Sequence, residues 1–543
     1  MQSVKEIRWC KKCNVPIMDH KVCPICNEKT KYLTTDIRPV FPEERLIIEI
    51  LLNKPFEYLE SSVWASKMRF YIDGKPLHIP QEVYKTTDAL KVKEMYSSFC
   101  EDNTYQYFHA YIKSFLQANR QRLQLIKNEA TDFIAQTVEK YNFDNKFISF
   151  SGGKDSTVIA DLVLKSLYPK QIPHIFCDTT LEFPFTYDYI SRYKNREGIR
   201  FLTAKNTERN FYDMCEIIGP PSRNMRWCCT MFKTGPIARL TSAEFQGNVL
   251  SFLGIRSSES AMRSKYNRIN VSDSTVKIQG HVTASPIFYW KDCDVWLYLF
   301  GEDIDFNQAY RFGYNRVGCY CCPNNTERNQ FLTKIFLPDL SQKWYNLLVD
   351  FAKKTNKLTP YEYVEGGYWK ARQGGQGLEA ANHIKIDSKA CVTEENAKVY
   401  QLNKPISNEF WELFTPLGIV SKEAGRKLLD EVIVLDKNTH YPIVSIVPYT
   451  GNGYDNAVKI KVYPNNPVKK IERRCGYQIR KYNACQSCLK CESICSFHAI
   501  SLENGAYHID EKKCKRCGKC ITNKYLSNGC LMYRYLFDSE KLK

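Results

Sequence analysis

The chain has 543 residues, 43% of them hydrophobic, which points to three or four packed domains, because a single core seldom grows past about 250 to 300 residues. No run of about 18 apolar residues occurs, which excludes a transmembrane helix, and the charged opening segment lacks an apolar signal core, so a cytoplasmic protein without membrane partners is expected. A net charge of +18 suits a polyanion, nucleic acid above all, or serves only solubility; the charge alone leaves both readings open.

The 23 cysteines fall mostly at C-x2-C spacing, which reads as metal ligation in a reducing compartment and not as disulfides. Cys10, Cys13, Cys23 and Cys26 form two knuckles with a short hairpin between them. That arrangement sets four thiolates tetrahedrally around a structural Zn2+, and 1–31 is read as a zinc ribbon. Residues 32–115 contain Leu46-Ile47-Ile48-Glu49-Ile50-Leu51-Leu52, Arg69-Phe70-Tyr71-Ile72 and an Asp73-Gly74 hairpin signal, and are read as an α+β accessory domain. Residues 110–140 are expected to form one long helix leading into the next strand.

A short apolar strand, Lys146-Phe147-Ile148-Ser149-Phe150, runs into Ser151-Gly152-Gly153-Lys154-Asp155-Ser156-Thr157. A helix follows, with Val158, Ile159, Leu162, Val163 and Leu167 at helical spacing. The glycines allow positive φ and close approach to a ligand. The freed N–H groups at the helix start, helped by hydroxyls of Ser151, Ser156 and Thr157, suit phosphate oxygens. Apolar strands near 147–150, 174–178, 200–204 and 248–254 alternate with helices, which predicts a parallel α/β sheet with ligands at the strand carboxyl ends. The loop is not the Walker sequence. It resembles the PP-loop, SGGxDS, of ATP pyrophosphatases and their relatives.

A third cysteine group lies mid-chain. Arg226-Trp227-Cys228-Cys229 precedes Gly318-Cys319-Tyr320-Cys321-Cys322-Pro323. Ile175-Phe176-Cys177-Asp178-Thr179-Thr180-Leu181-Glu182-Phe183-Pro184 is similar to a DTGxE-type turn after a second strand. Lys233 and Pro236 follow the cysteine pair as in CCxxxKxxP, and Gly254-Ile255-Arg256-Ser257-Ser258-Glu259-Ser260 with Arg263 resembles GxRxxES…R. Segment 286–296 (PIFYWKDCDVW) resembles PLxxWxxxDVW, and 307–323 resembles NPLYxxGxxRxGCxxCP. Over about 125–335 these motifs resemble the phosphoadenosine-phosphosulfate reductase superfamily, in its order.

The resemblance implies a PP-loop fold of the adenine nucleotide alpha hydrolase type over 116–340. It also implies a [4Fe–4S] cluster on Cys228, Cys229, Cys319 and Cys322, with Cys321 as an alternative to Cys322. An adenine nucleotide (ATP, or one of adenylylsulfate type) with Mg2+ would contact Ser151, Gly152, Gly153, Lys154, Asp155, Ser156, Thr157 and Asp178. Asp155, Lys233, Arg256 and Arg263 would act on the reacting phosphates, the arginines in fork geometry. The chain departs from sulfonucleotide reductases in keeping the full SGGKDST, as ATP-splitting members do. It also lacks their ECGLH tail: Arg474-Cys475-Gly476-Tyr477-Gln478 keeps only Cys-Gly, and a chance match is the preferred reading of Cys475. The intact loop beside an iron–sulfur cluster resembles the DNA phosphorothioation ATPase.

Residues 341–470 are expected to be a mixed helical and β-rich region. It includes a Gly-rich loop (Gly366, Gly367, Gly374, Gly375, Gly377) read as a flexible connector, and Val432-Ile433-Val434-Leu435 and Val458-Lys459-Ile460-Lys461-Val462 as strands. Lys469, Lys470, Arg473, Arg474, Arg480 and Lys481 form a basic run, read either as a phosphate site or as a solvated linker.

In 471–543, Cys485, Cys488, Cys491 and Cys495 follow the bacterial ferredoxin spacing, in which the fourth cysteine serves the other cluster. Cys485, Cys488, Cys491 and Cys530 would hold one [4Fe–4S] cluster. Cys514, Cys517, Cys520 and Cys495 would hold a second, although Ser496 replaces the usual proline and Cys530 lies far from Cys520.

These readings lead to an ATP-splitting enzyme that activates an acceptor, nucleic acid foremost, for reductive sulfur transfer, fed by an external electron donor. A sulfonucleotide reductase drawing on its own ferredoxin domain is the alternative, and a nucleic-acid-associated redox sensor the third. Oligomeric state is not legible.

Overall fold

The computed structural model describes residues 3–167, 171–271, 281–375, 378, 388–451, 453–503, 505–523, 526 and 529–536. The chain divides into two compact units, Met1–Thr203 with Phe245–Trp344, and Ala204–Glu244 with Tyr345–Lys543. No helix among the described residues is long and apolar enough to cross a membrane.

The first unit opens on a three-stranded antiparallel sheet in which Ile7–Cys10 lies between Val15–Met18 and Lys31–Thr34. A four-stranded antiparallel sheet follows, Arg38–Pro39, Val63–Ser66, Arg69–Ile72 and Lys75–His78. Asp73 (φ 49) and Gly74 (φ 76) turn its last hairpin, as the two left-handed positions of a type I′ turn require. A Cβ on Gly74 would lie 2.6 Å from the Trp9 ring, so glycine is also what lets the ribbon pack there.

The long helix expected over 110–140 is two helices, Gln106–Ala118 and Arg120–Lys140. Asn119 separates them because its carboxamide is committed elsewhere. Its Oδ1 accepts from the Met18 N–H (2.9 Å), and its Nδ2 donates to the Pro16 and Phe115 carbonyls (3.1 and 2.9 Å).

The main sheet has the order Phe201–Lys205, His174–Asp178, Asn145–Ser149, Val249–Phe252, His281–Ala284, Ile269–Val271. The four expected strands are present. The pairings of Asn145–Ser149, His174–Asp178, Val249–Phe252 and His281–Ala284 are parallel. The edge strand Ile269–Val271 is antiparallel, so the sheet is mixed; such a pairing needs no crossover helix. Strand order reverses between Asn145–Ser149 and Val249–Phe252, the switch point at which α/β sheets bind ligands. Phe150, Val158, Ile159, Leu162, Val163, Phe252 and Trp290 are buried in the core around it.

The second unit contains a six-stranded antiparallel sheet: Ser388–Ala390, Ala397–Gln401, Tyr454–Val462, Pro442–Gly451, Val432–Leu435 and Ile419–Ser421. Segment Ala204–Glu244, expected within the α/β domain, groups with this unit. Around the Gly-rich loop, Trp369 and Lys370 are buried. Arg372 donates to the carbonyls of Ile218, Pro220 and Gly374 (2.9, 2.9 and 3.0 Å), so the loop is packed and not a loose connector. Gly377 lies outside the described residues.

The basic run is not a linker. It belongs to the helix Val468–Ala484, whose Ile471, Cys475, Gln478, Ile479, Lys481 and Tyr482 are buried.

Two buried histidines give the first unit a pH dependence. His174 accepts from or donates to Tyr193 (3.1 Å), and His281 likewise pairs with Ser251 (2.7 Å). Burial holds each imidazole down at about 4, against about 6.5 in an unfolded chain. Between those values the unfolded chain binds protons that the folded chain refuses. Stability is therefore full above about pH 6.5 and falls as the pH drops towards 4, by at most about 3 kcal/mol per histidine. Urea midpoints measured from pH 7 to 4 should show a shallower fall for His281→Gln than for wild type; equal slopes would refute the assignment.

Candidate active site

The PP-loop follows strand Asn145–Ser149 and opens the helix Lys154–Ser166 at the switch point. Gly152 has φ 69, and a Cβ there would come within 3.0 Å of Thr186. The Gly152 carbonyl accepts from the buried Asn307 carboxamide (3.2 Å), and the Lys154 N–H donates to the Tyr310 hydroxyl (3.1 Å). Ser156 Oγ donates to the Gly153 carbonyl (2.8 Å) and accepts from the Ser151 N–H (3.2 Å). The loop is thus held in shape from three sides before any ligand arrives.

Of the residues expected to contact nucleotide, Ser151 is exposed and Gly153 and Asp155 are half-buried, whereas Gly152, Lys154, Ser156 and Thr157 are buried. Thr157 turns inward to the Tyr189 hydroxyl (2.8 Å). The Lys154 ammonium lies over the Tyr310 ring (5.2 Å), near Asp155 (3.4 Å) and Asp292 (3.3 Å).

Arg256 completes an ion cluster under the loop. Only 5% exposed, it donates from Nε to Asp155 Oδ1 (2.6 Å) and from Nη2 to Asp292 Oδ1 (2.8 Å). Burial alone would raise the Asp292 carboxyl, but Lys154 and Arg256 overcome it and hold it at about 2. Asp36 caps the helix Asp292–Gly301, accepting from the N–H groups of Asp292 and Cys293 (both 3.1 Å). Its own carboxyl is raised, first by burial and then by Asp292.

Gly254 lets this loop close on the PP-loop: a Cβ would sit 2.8 Å from the Asp155 carbonyl carbon. Arg263 pairs with Glu259, which also accepts from the Arg256 N–H (3.1 Å).

Beyond the second strand, Asp178 accepts from the Thr180 N–H (2.8 Å) and the Tyr187 hydroxyl (2.7 Å). Thr179 donates through N–H and hydroxyl to Glu182 (3.1 and 2.7 Å), whose carboxyl burial raises. Glu182 forms a bridge with Cys319, the Tyr320 N–H donates to the Leu181 carbonyl (3.0 Å), and Thr179 Oγ1 lies 3.6 Å from Cys319 Sγ. Cys319 and Cys322 are half-buried, whereas Cys321 is buried.

Cys228, Cys229 and Lys233 belong to the second unit. They lie on the short turns Trp227–Cys229 and Thr230–Thr234. The Cys229 thiol is brought down to about 5, first by its hydrogen bond with Cys228 and further by Arg226 and Lys233. Arg226 Nη2 donates to it at 3.3 Å. The following helix, Gly235–Glu244, is clamped to Lys490–Ile494: Arg239 makes a two-pronged pair with Glu492 (3.0 and 2.8 Å). A Cβ on Gly235 would meet Leu489 at 2.7 Å. The Tyr535 hydroxyl is pushed up by burial and by the thiols of Cys488, Cys228 and Cys229.

The cysteine sites differ in width. Among the described residues, Cys10, Cys13, Cys23 and Cys26 alone bring their sulfurs all within 4.8 Å of one another. The separations Cys10–Cys26 (3.5 Å) and Cys13–Cys23 (3.8 Å) match the ~3.8 Å edge of a tetrahedron with ~2.3 Å Zn–S bonds.

The C-terminal groups are wider. Cys495, Cys514, Cys517 and Cys520 together line one cavity. Cys488 is buried, and its thiol is raised by burial and by Cys491, Cys530 and Cys485. In both runs the middle cysteine lies between left-handed residues: Ser487 (φ 52) and Leu489 (φ 61) around Cys488, Arg516 (φ 53) and Gly518 (φ 69) around Cys517. Turns of this kind form anion-binding nests. Cys475 is fully buried, and burial pushes its thiol up to about 12.

Asp36, Asp292, Asn307 and Tyr310 were not among the expected site residues. Asp292 lies inside segment 286–296, and Asn307 and Tyr310 inside 307–323; nothing in the sequence marks Asp36.

The phosphoadenosine phosphosulfate reductase domain model matches residues 145–325. An uncharacterized protein of Methanocaldococcus jannaschii is 31% identical over 304 residues, covering 56% of this chain and 57% of that protein. The chain therefore spans a little over half the length of that relative. An adenosine 5'-phosphosulfate reductase of Staphylococcus epidermidis is 28% identical over 183 residues, 33% of this chain and 71% of that enzyme. The crystal structure of phosphoadenylyl-sulfate reductase from Candida auris aligns over 37% of this chain and 96% of that one, at 19% identity and a TM-score of 0.29. Residues 145–325 of the chain are a phosphoadenosine phosphosulfate reductase domain, built on the PP-loop α/β fold.

Proposed function

We propose that the chain is an ATP-dependent enzyme of reductive sulfur chemistry, which splits an adenine nucleotide at the α–β bond to activate an acceptor. The observation that carries this reading is the intact SGGKDST loop, locked against Gly254 and Arg256 at the sheet's switch point. The exposed Ser151 and the N–H groups at the helix start face an incoming phosphate. Arg256 and Lys154 supply fixed positive charge beneath the loop, which favours the charge that develops as pyrophosphate departs.

Both oxygens of Asp155 are committed, one to Arg256 and one to Lys154. Asp178 accepts from Thr180 and Tyr187 through Oδ1. Adenylylation joins AMP to an acceptor oxygen and releases pyrophosphate, and a sulfide-level sulfur nucleophile then displaces AMP. With a net charge of +18, nucleic acid is the acceptor we favour.

The C-terminal cysteine cradles, when loaded with [4Fe–4S] clusters, supply single electrons. This chain's own part is the clamp of Arg239 on Glu492, which fixes the Cys228–Cys229 segment beside the Cys488 and Cys491 turn.

A second reading, sulfonucleotide reduction, is favoured by the Staphylococcus epidermidis relative's activity. The burial of Cys475 weighs against it as the attacking thiol.

Anaerobically purified protein should release pyrophosphate from ATP and no sulfite from adenylylsulfate, with dithionite present. Sulfite without pyrophosphate would replace this reading with the second. Gly254→Ala should lower turnover about 10- to 100-fold, because the added carbon displaces the start of the PP-loop helix; unchanged turnover would show that the close approach is dispensable. Cys475→Ser should leave kcat within about twofold of wild type, whereas loss of sulfite release would make Cys475 the nucleophile.

A further inference from the structure

Lys481 lies on the inward face of the helix Val468–Ala484, and its side chain is 1% exposed. Its ammonium donates to the Cys520 carbonyl (2.6 Å), sits 3.5 Å from the Tyr507 hydroxyl and lies 5.2 Å from the centre of that ring. One helical turn on, the Cys485 N–H donates to the Lys481 carbonyl (3.0 Å). Lys481, Tyr507 and Cys485 also line one small cavity. Lys481 therefore touches Cys520 of one cysteine group and borders Cys485 of the other.

No carboxylate among the described residues pairs with it. A carbonyl and a ring face do not repay the burial of a full positive charge, which costs several kcal/mol unless a counter-charge is supplied. The groups able to supply one here are the thiolates of the two cradles. Four thiolates around an iron–sulfur core leave a net negative charge, and reduction adds one electron to it while the ammonium keeps its proton. Nearby charge and hydrogen bonding are among the levers that set such potentials.

We infer that Lys481 is a shared counter-charge for both C-terminal clusters and raises the reduction potential of each. It is a positioning residue that acts through the clusters and touches no substrate. The inference rests on the two-cluster reading of the C-terminal region.

The test uses the full chain purified anaerobically as wild type, Lys481→Arg and Lys481→Gln. Iron and acid-labile sulfide are counted, and both clusters are titrated with dithionite under EPR detection. Both midpoints should move to more negative potential in the glutamine variant and stay at the wild-type value in the arginine variant. A glutamine variant that loses its iron, beside an arginine variant with both clusters at native potential, supports the same role. Unshifted midpoints in Lys481→Gln overturn the inference, as does equal loss of iron from both variants. Wild type lacking iron and sulfide would instead remove the two-cluster reading itself.

Discussion

The buried Arg256 guanidinium spends Nε on Asp155 and Nη2 on Asp292. Removing one member of such a buried cluster leaves the others uncompensated, at a cost of about 3–5 kcal/mol. The PP-loop helix, the loop after Val249–Phe252 and the helix Asp292–Gly301 are therefore locked as one piece. Asp36 adds the segment between the ribbon and the four-stranded sheet to the same lock. What this achieves is preorganisation: the loop needs no rearrangement to receive a phosphate, and its fixed dipoles and charges are already aimed.

The cost of this arrangement falls on side chains that might otherwise bind ligand. Lys154 and Thr157 are in the motif by type, yet the first neutralises Asp155 and Asp292 and the second joins the Tyr189 hydroxyl. The phosphate-facing chemistry is thereby narrowed to backbone N–H groups and Ser151. That is consistent with a site that grips a polyphosphate through its main chain.

Much of the fold was legible because periodicity and glycine placement are local signals. The strand–loop–helix around SGGKDST and the Asp73-Gly74 hairpin required only neighbours in sequence. The break at Asn119 was not legible, because it depends on Pro16 and Met18, residues distant in the chain. Asp36 was invisible for the same reason: a lone carboxylate carries no pattern until the fold brings it to a helix start. Gly254 was seen as part of a motif, while its cause, contact with the Asp155 backbone, is purely spatial. The helix beneath the basic run was not legible from its charges. Ile471, Cys475, Ile479 and Tyr482 trace a buried face on which Lys481 also lies.

The C-x2-C spacing was equally visible at both ends of the chain, yet the backbone around it differs. In the N-terminal ribbon the left-handed residues, Asn14 and Asn27, follow each knuckle, and asparagine tolerates that conformation cheaply. The sulfurs converge to ion-binding distance. In the C-terminal runs the left-handed residues flank the middle cysteine, and three of the four are Ser487, Leu489 and Arg516. Side chains of these types pay roughly 1–2 kcal/mol each in that region, and such strain persists only where the surroundings over-determine it. Leu489 is fixed in part by Gly235, which gives it room. The Arg516 side chain pairs with the exposed Glu511, and its backbone hydrogen-bonds to Cys514. The same left-handed flanks therefore recur around Cys488 and Cys517, each the middle cysteine of its run.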